Sequence, residues 1–282
     1  MSGAALETLL RRDRLVVGVA LAALVVAAWL YLLHLARAMA DVAMPHVPAM
    51  PGMPAMPGMA AMPGMAMVTP ALHAWSWLEV GALVVMWAVM MIAMMTPAAA
   101  PMILMFAGVH RRRAVDGRPA VPTGIFVLGY LVVWTLFSVV AALAQAGLHA
   151  AALLSPAMAA ESPVLGGGLL IVAGVVQWTP LKRACLTACR SPLSFLMTRW
   201  REGRAGAFVM GVHHGLYCLG CCWALMALLF VAGVMNLVWI AVIAVAVLVE
   251  KAVPYGDLVG RAIGVLLVVA GVWSLLVRAG GA

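Results

Sequence analysis

Apolar residues run along the chain in seven long blocks, at about residues 15–35, 75–106, 122–146, 163–181, 207–231, 235–249 and 261–277. Charged residues gather between the blocks and do not alternate within them. A helix that is apolar all round belongs in a bilayer or a large core. A spanning helix needs about 20 such residues. The pattern predicts an all-α polytopic transmembrane helix bundle of about seven spans, the last two being short. In a six-span version the final block lies at the interface. The first block is long and alanine-rich, and Arg37 follows it without a small-residue cleavage site. It is expected to be an uncleaved helix, not a secretory leader.

The charges then orient the bundle. With the N-terminus inside, the cytoplasmic segments carry Arg11, Arg12, Arg14, Arg111 to Arg113, Arg118, Lys182, Arg183, Arg190, Arg199, Arg201, Arg204, Lys251 and Arg261. Only Arg37 and Arg278 fall outside. That asymmetry predicts an N-in/C-out topology. It also accounts for the net charge of +8 without a nucleic-acid partner. Composition agrees: 66% of residues are hydrophobic and 9% charged, against about 25% charged in soluble domains. A soluble enzyme and a disordered chain are both excluded. Three parts follow: a first helix over 1–36, an outer segment over 37–74, and a membrane domain over 75–278 that carries the candidate metal ligands.

The 22 methionines change the picture next. The outer segment reads MPHVPAMPGMPAMPGMAAMPGMAM, with Met50, Met53, Met56, Met59, Met62 and Met65 every third residue and prolines between them. Such a Pro-rich run favours polyproline II, which turns once in three residues and sets the thioethers on one edge. Glycines 52, 58 and 64 permit the bends that chelation needs. Thioether is a soft ligand suited to Cu(I), and His46 adds an imidazole. The other reading of this segment is a low-complexity linker.

The second block carries Met86, Met90, Met91, Met94 and Met95 before Pro97. Met90 and Met94 share one helical face, and Met91 and Met95 another. Methionine also fills gaps between helices, so this stripe has a packing reading too. The fifth block holds Met210-Gly-Val-His-His214-Gly-Leu-Tyr-Cys218-Leu-Gly-Cys221-Cys222, with Met226 one turn on. His214, Cys218 and Cys221 fall within about 60° of one another around a helix, while Cys222 points about 100° from Cys221. Ionisable groups at membrane depth are candidates for function. At the inner end of the fourth block, Cys185 and Cys189 are four apart, on one face, beside Lys182, Arg183 and Arg190. Such a pair suits Cu(I) hand-off. Glu250-Lys251 reads as an interfacial pair, and Gly256, Gly260 and Gly264 as packing of the last helix.

These motifs resemble a known family. The 86–97 run, Thr179-Pro-Leu-Lys-x-x-Cys-x-x-x-Cys-Arg-Ser-Pro192, Gly211-x-x-His-Gly-x-x-Cys-x-Gly-Cys-Cys-Trp-x-Leu-Met226 and Glu250-Lys251 are similar to those of an uncharacterised bacterial family of integral membrane proteins predicted to bind metal. The resemblance implies a multi-pass protein of the bacterial inner membrane and stops short of an activity. Donor softness selects Cu(I) as the ion. The leading expectation is copper handling, by transport, delivery or homeostasis, with a copper chaperone or metalloenzyme as partner. A membrane thiol-redox or copper-site oxidoreductase is the second reading, and a structural subunit the third. No nucleotide-binding motif supports direct ATP-driven pumping.

Overall fold

The computed structural model describes residues 3–43, 75–115, 121–155, 159–160 and 162–279. Among these the chain forms ten helices: α1 Gly3–Ala43, α2 Trp77–Val115, α3 Thr123–Ala150, α4 Pro163–Val176, α5 Pro180–Arg190, α6 Pro192–Arg199, α7 Gly203–Ala227, α8 Leu229–Ala232, α9 Leu237–Ala252 and α10 Gly256–Ala279. The all-helical expectation holds for the described residues. Five helical stretches are long and apolar enough to cross a membrane, and the bent pair α4 and α5 makes a sixth if it counts as one span.

Two prolines explain where this departs from seven spans. The fourth apolar block is not one helix, because α4 and α5 meet at a 65° bend. Thr179 is extended there, at φ −69° and ψ 147°, as the residue before a proline tends to be. Pro180 then opens α5 at a position that needs no N–H. The Thr179 hydroxyl accepts from the Lys182 N–H at 3.3 Å and caps the new helix. The sixth block forms α9, whose first turn is capped by Asn236 accepting from the Trp239 N–H at 3.1 Å. It ends at Val253, extended ahead of Pro254. Its 16 residues rise only about 24 Å, short of the roughly 30 Å hydrocarbon core. By contrast α2 runs unbroken through Pro97 and Pro101.

The helices pack in a connected order. α2 lies between α1 and α3, α3 runs along α7, α7 carries α5, and α10 lies along α4. Glycines set the closest approaches. A Cβ on Gly129 would run into the Phe208 carbonyl oxygen, and one on Gly211 into that of Phe126. α3 and α7 therefore touch backbone to backbone, the kind of contact small residues permit. Gly174 and Gly264 do the same for α4 and α10. The core that results is filled by sulfur-bearing and aromatic side chains, including Met90, Met91, Met94, Met95, Met102, Trp87 and Trp134. α1 and α10 turn apolar side chains such as Leu15, Leu30, Leu266 and Trp273 outward.

Candidate metal centre

The site begins with two basic residues of α5. The Lys182 ammonium is buried and donates to Glu250 Oε2 of α9 at 2.7 Å, and also to Gln177 Oε1. Two turns further, Arg190 donates to the carbonyls of Val253, at 2.6 Å, and of Pro254. Its guanidinium lies 3.7 Å from Asp257. α5 is thus clasped to the end of α9 at both of its own ends. Between the clasps, Cys185 and Cys189 share the Lys182 face of the helix. That face meets α7.

Cys185 sits where α7 has no side chain. A Cβ on Gly220 would stand 2.7 Å from the Cys185 sulfur. Cys189 lies near enough to Cys218 and Cys221 for the three thiols to influence one another electrostatically. Two cysteine groups that stand apart in sequence therefore form one cluster across the α5–α7 contact. Cys218, Cys221 and Cys222 are all buried, and all five cysteines are free thiols.

Cys221 and Cys222 point about 100° apart around α7, with Cys218 between them. Cys218 and Cys221 face α5, whereas the Cys222 thiol points to the Met95 thioether of α2 at 3.8 Å. The methionine stripe and the cysteines therefore do meet, at Met95. Met90, Met91, Met94 and Met226 are buried in the core around them. Tyr130 of α3 ties the faces together. Its hydroxyl donates to the Met95 carbonyl at 3.0 Å and lies 3.2 Å from the Cys218 sulfur.

His214 lies one turn before Cys218 on the same face of α7. It packs against Tyr130, Phe126 and Phe195, with ring centroids 5.7, 6.1 and 5.8 Å away. Both imidazole nitrogens are buried without a hydrogen-bond partner. A buried polar atom left unpaired costs about 1–3 kcal/mol, and both nitrogens of this ring carry that cost. It interacts with the Cys218 and Cys221 sulfurs and with Lys251.

One expectation is overturned. Glu250 and Lys251 are not an interfacial pair with each other. Glu250 is held by Lys182, and the Lys251 ammonium donates to the Cys218 sulfur at 2.9 Å. Neighbours on a helix point about 100° apart, which sends the two charges to different partners. Lys251, Tyr130 and Gly220 were not singled out as site residues by sequence. A tyrosine inside the third apolar block was the available signal for Tyr130, whereas Lys251 falls just beyond the sixth block.

Among the described residues, no three or more His, Cys, Asp or Glu side chains form a ready cage for an ion. The Cys221 and Cys222 thiols instead donate to the Cys218 carbonyl, at 3.1 and 2.8 Å. Met50, Met53, Met56, Met59, Met62, Met65 and His46 lie outside the described residues.

Fold and site together define a class: an all-helical protein with span-length apolar helices and an interior of thiol, thioether and imidazole donors. The family model described as PpoB2, copper chaperone, matches residues 84–274. The chain belongs to this copper chaperone family. The match runs from within α2 to within α10 and takes in every residue of the cluster. No curated protein and no solved structure matches the chain.

Proposed function

We propose that the protein is a membrane-embedded copper chaperone that carries Cu(I) on thiols and thioethers between α2, α5 and α7. The observation that carries this reading is the approach of Cys189 of α5 to Cys218 and Cys221 of α7, with the Cys222 thiol 3.8 Å from the Met95 thioether. Thiolates and thioethers favour Cu(I). The apolar faces of α1 and α10, with Leu15 67% and Trp273 68% exposed, suit lipid contact far better than water. In this reading the Met-rich segment over 37–74 collects copper at the outer surface. Met95 and Cys222 receive it in the bundle, and Cys185 and Cys189 pass it toward the cytoplasmic side. Side-chain rotation of Cys221 away from the Cys218 carbonyl completes the set, and His214 supplies a nitrogen donor.

Elemental analysis and Cu(I) competition on the purified full chain test the reading. Near-stoichiometric copper is expected. Cys189→Ser, Cys218→Ser and Cys221→Ser together should abolish it while Met90→Leu leaves most of it. A metal-free protein with a reducible disulfide would instead favour the thiol-redox reading.

A further inference from the structure

We propose that the open groove between α4 and α10 binds an anionic phospholipid, with an acyl chain in the groove and the headgroup phosphate against Arg261. The inference rests on the membrane reading above and is independent of which metal the thiols carry.

Two glycines make the groove. Gly174 and Gly264 bring the backbones of α4 and α10 into contact, and an open trough of about 310 Å³ runs between the helices. Val175, Val265 and Val268 line it, and Trp178 stands at one end. This lining is apolar, so covering it with hydrocarbon is favourable and covering it with water is not. Trp178 is pinned in place, its indole N–H donating to the Arg261 carbonyl at 3.3 Å. Tryptophan settles at the headgroup level of a bilayer, which sets the depth of this end.

Arg261 supplies the charge. It is exposed, and Arg261, Val265 and Val268 fall within about 60° of one another around α10. The guanidinium therefore rises from the same face as the groove wall. Helical side chains lean toward the helix N-terminus, which carries this charge out of the hydrocarbon and toward the headgroups. Asp257, one turn earlier, lies 3.7 Å from Arg190. Among the described residues no carboxylate is paired with Arg261. From Arg261 to Val268 the trough is about 10 Å long. An apolar trough that ends in a tryptophan and a cation matches an acyl chain capped by a phosphate. A second copy of the chain, inserted in the same orientation, would bring another Arg261 to the same end. Charge complementarity favours the lipid.

Native mass spectrometry of the full chain tests the site, in mixed micelles holding equal phosphatidylglycerol and phosphatidylcholine with matched acyl chains. The wild type should retain phosphatidylglycerol about fivefold over phosphatidylcholine, the factor that one arginine near the headgroups supplies. Arg261→Gln should abolish that preference. Arg204→Gln, which removes an exposed basic residue of α7, should leave it intact. Val265→Trp should fill the trough and lower retention of both lipids. Equal retention of the two lipids by the wild type overturns the site, as does an equal effect of the two arginine variants or undiminished retention in Val265→Trp. A dimer that Val265→Trp dissociates assigns the groove to a second copy and overturns the lipid site too. A chain that stays dispersed in buffer without detergent refutes the membrane reading instead.

Discussion

The contact between Gly220 and Cys185 offers the sharpest test of the α5–α7 arrangement. A methyl group at position 220 would stand 2.7 Å from the Cys185 sulfur but 3.5 Å from its Cβ. The first distance is about 1 Å inside a comfortable contact and the second is ordinary. α5 cannot simply back away, because Lys182 and Arg190 hold it to α9. Gly220→Ala therefore carries an overpacking penalty of about 1–3 kcal/mol. It also gains about 1 kcal/mol from replacing glycine inside a helix. In the wild-type background these combine to a change between neutral and about 2 kcal/mol destabilising. With Cys185→Ala already made, only the helix gain remains, and the same substitution should stabilise. The difference between backgrounds, about 1–3 kcal/mol, is the coupling energy of a double-mutant cycle. Reversible denaturant unfolding in mixed micelles, followed by tryptophan fluorescence, measures it. A coupling below about 0.5 kcal/mol would show that the Cys185 thiol is not held against position 220 and would refute the tight packing described.

The buried Lys182–Glu250 pair gives a second test. Lys182→Met should destabilise by about 3–5 kcal/mol because it strands a buried carboxylate, and Lys182→Met with Glu250→Leu should recover most of that loss in the same assay. Tyr130→Phe removes a hydroxyl that joins Met95 to Cys218 and should cost about 1 kcal/mol while the ring stays packed, read as a lower unfolding midpoint with Cu(I) stoichiometry retained. Copper affinity should fall as pH falls, because protons compete with the metal for thiolates; a flat Cu(I) affinity between neutral and acid pH would argue that thioethers alone hold the ion. A peptide of residues 44–67 should bind Cu(I) more tightly than its Met-to-Leu counterpart, and equal affinities would reduce the segment to a linker.

Much of this was legible in the chain. Blocks of apolar residues long enough to cross a bilayer announce helices, because each helix satisfies its own backbone. The stripe of His214, Cys218 and Cys221 follows from the helical period alone, as does the turn of about 100° from Cys221 to Cys222. Thr179 and Pro180 fall at the end of the fourth apolar block, and in the structure they start α5. The bend at that start was missed, because a hydropathy block running across Thr179 hides the extended residue that Pro180 imposes.

What the tertiary structure decided is which residues meet. That Cys189 of α5 faces Cys218 and Cys221 of α7 depends on the clasp of Lys182 and Arg190 onto α9 and on the missing side chain at Gly220. Those partners lie 29 or more positions apart. Sequence also determined that Glu250 and Lys251 are adjacent, and adjacency misled: packing sends one to Lys182 and the other to Cys218. Donor chemistry and helical period are local properties, and the chain declares them. The pairing of charges and sulfurs across helices is set by close packing, which no single segment contains.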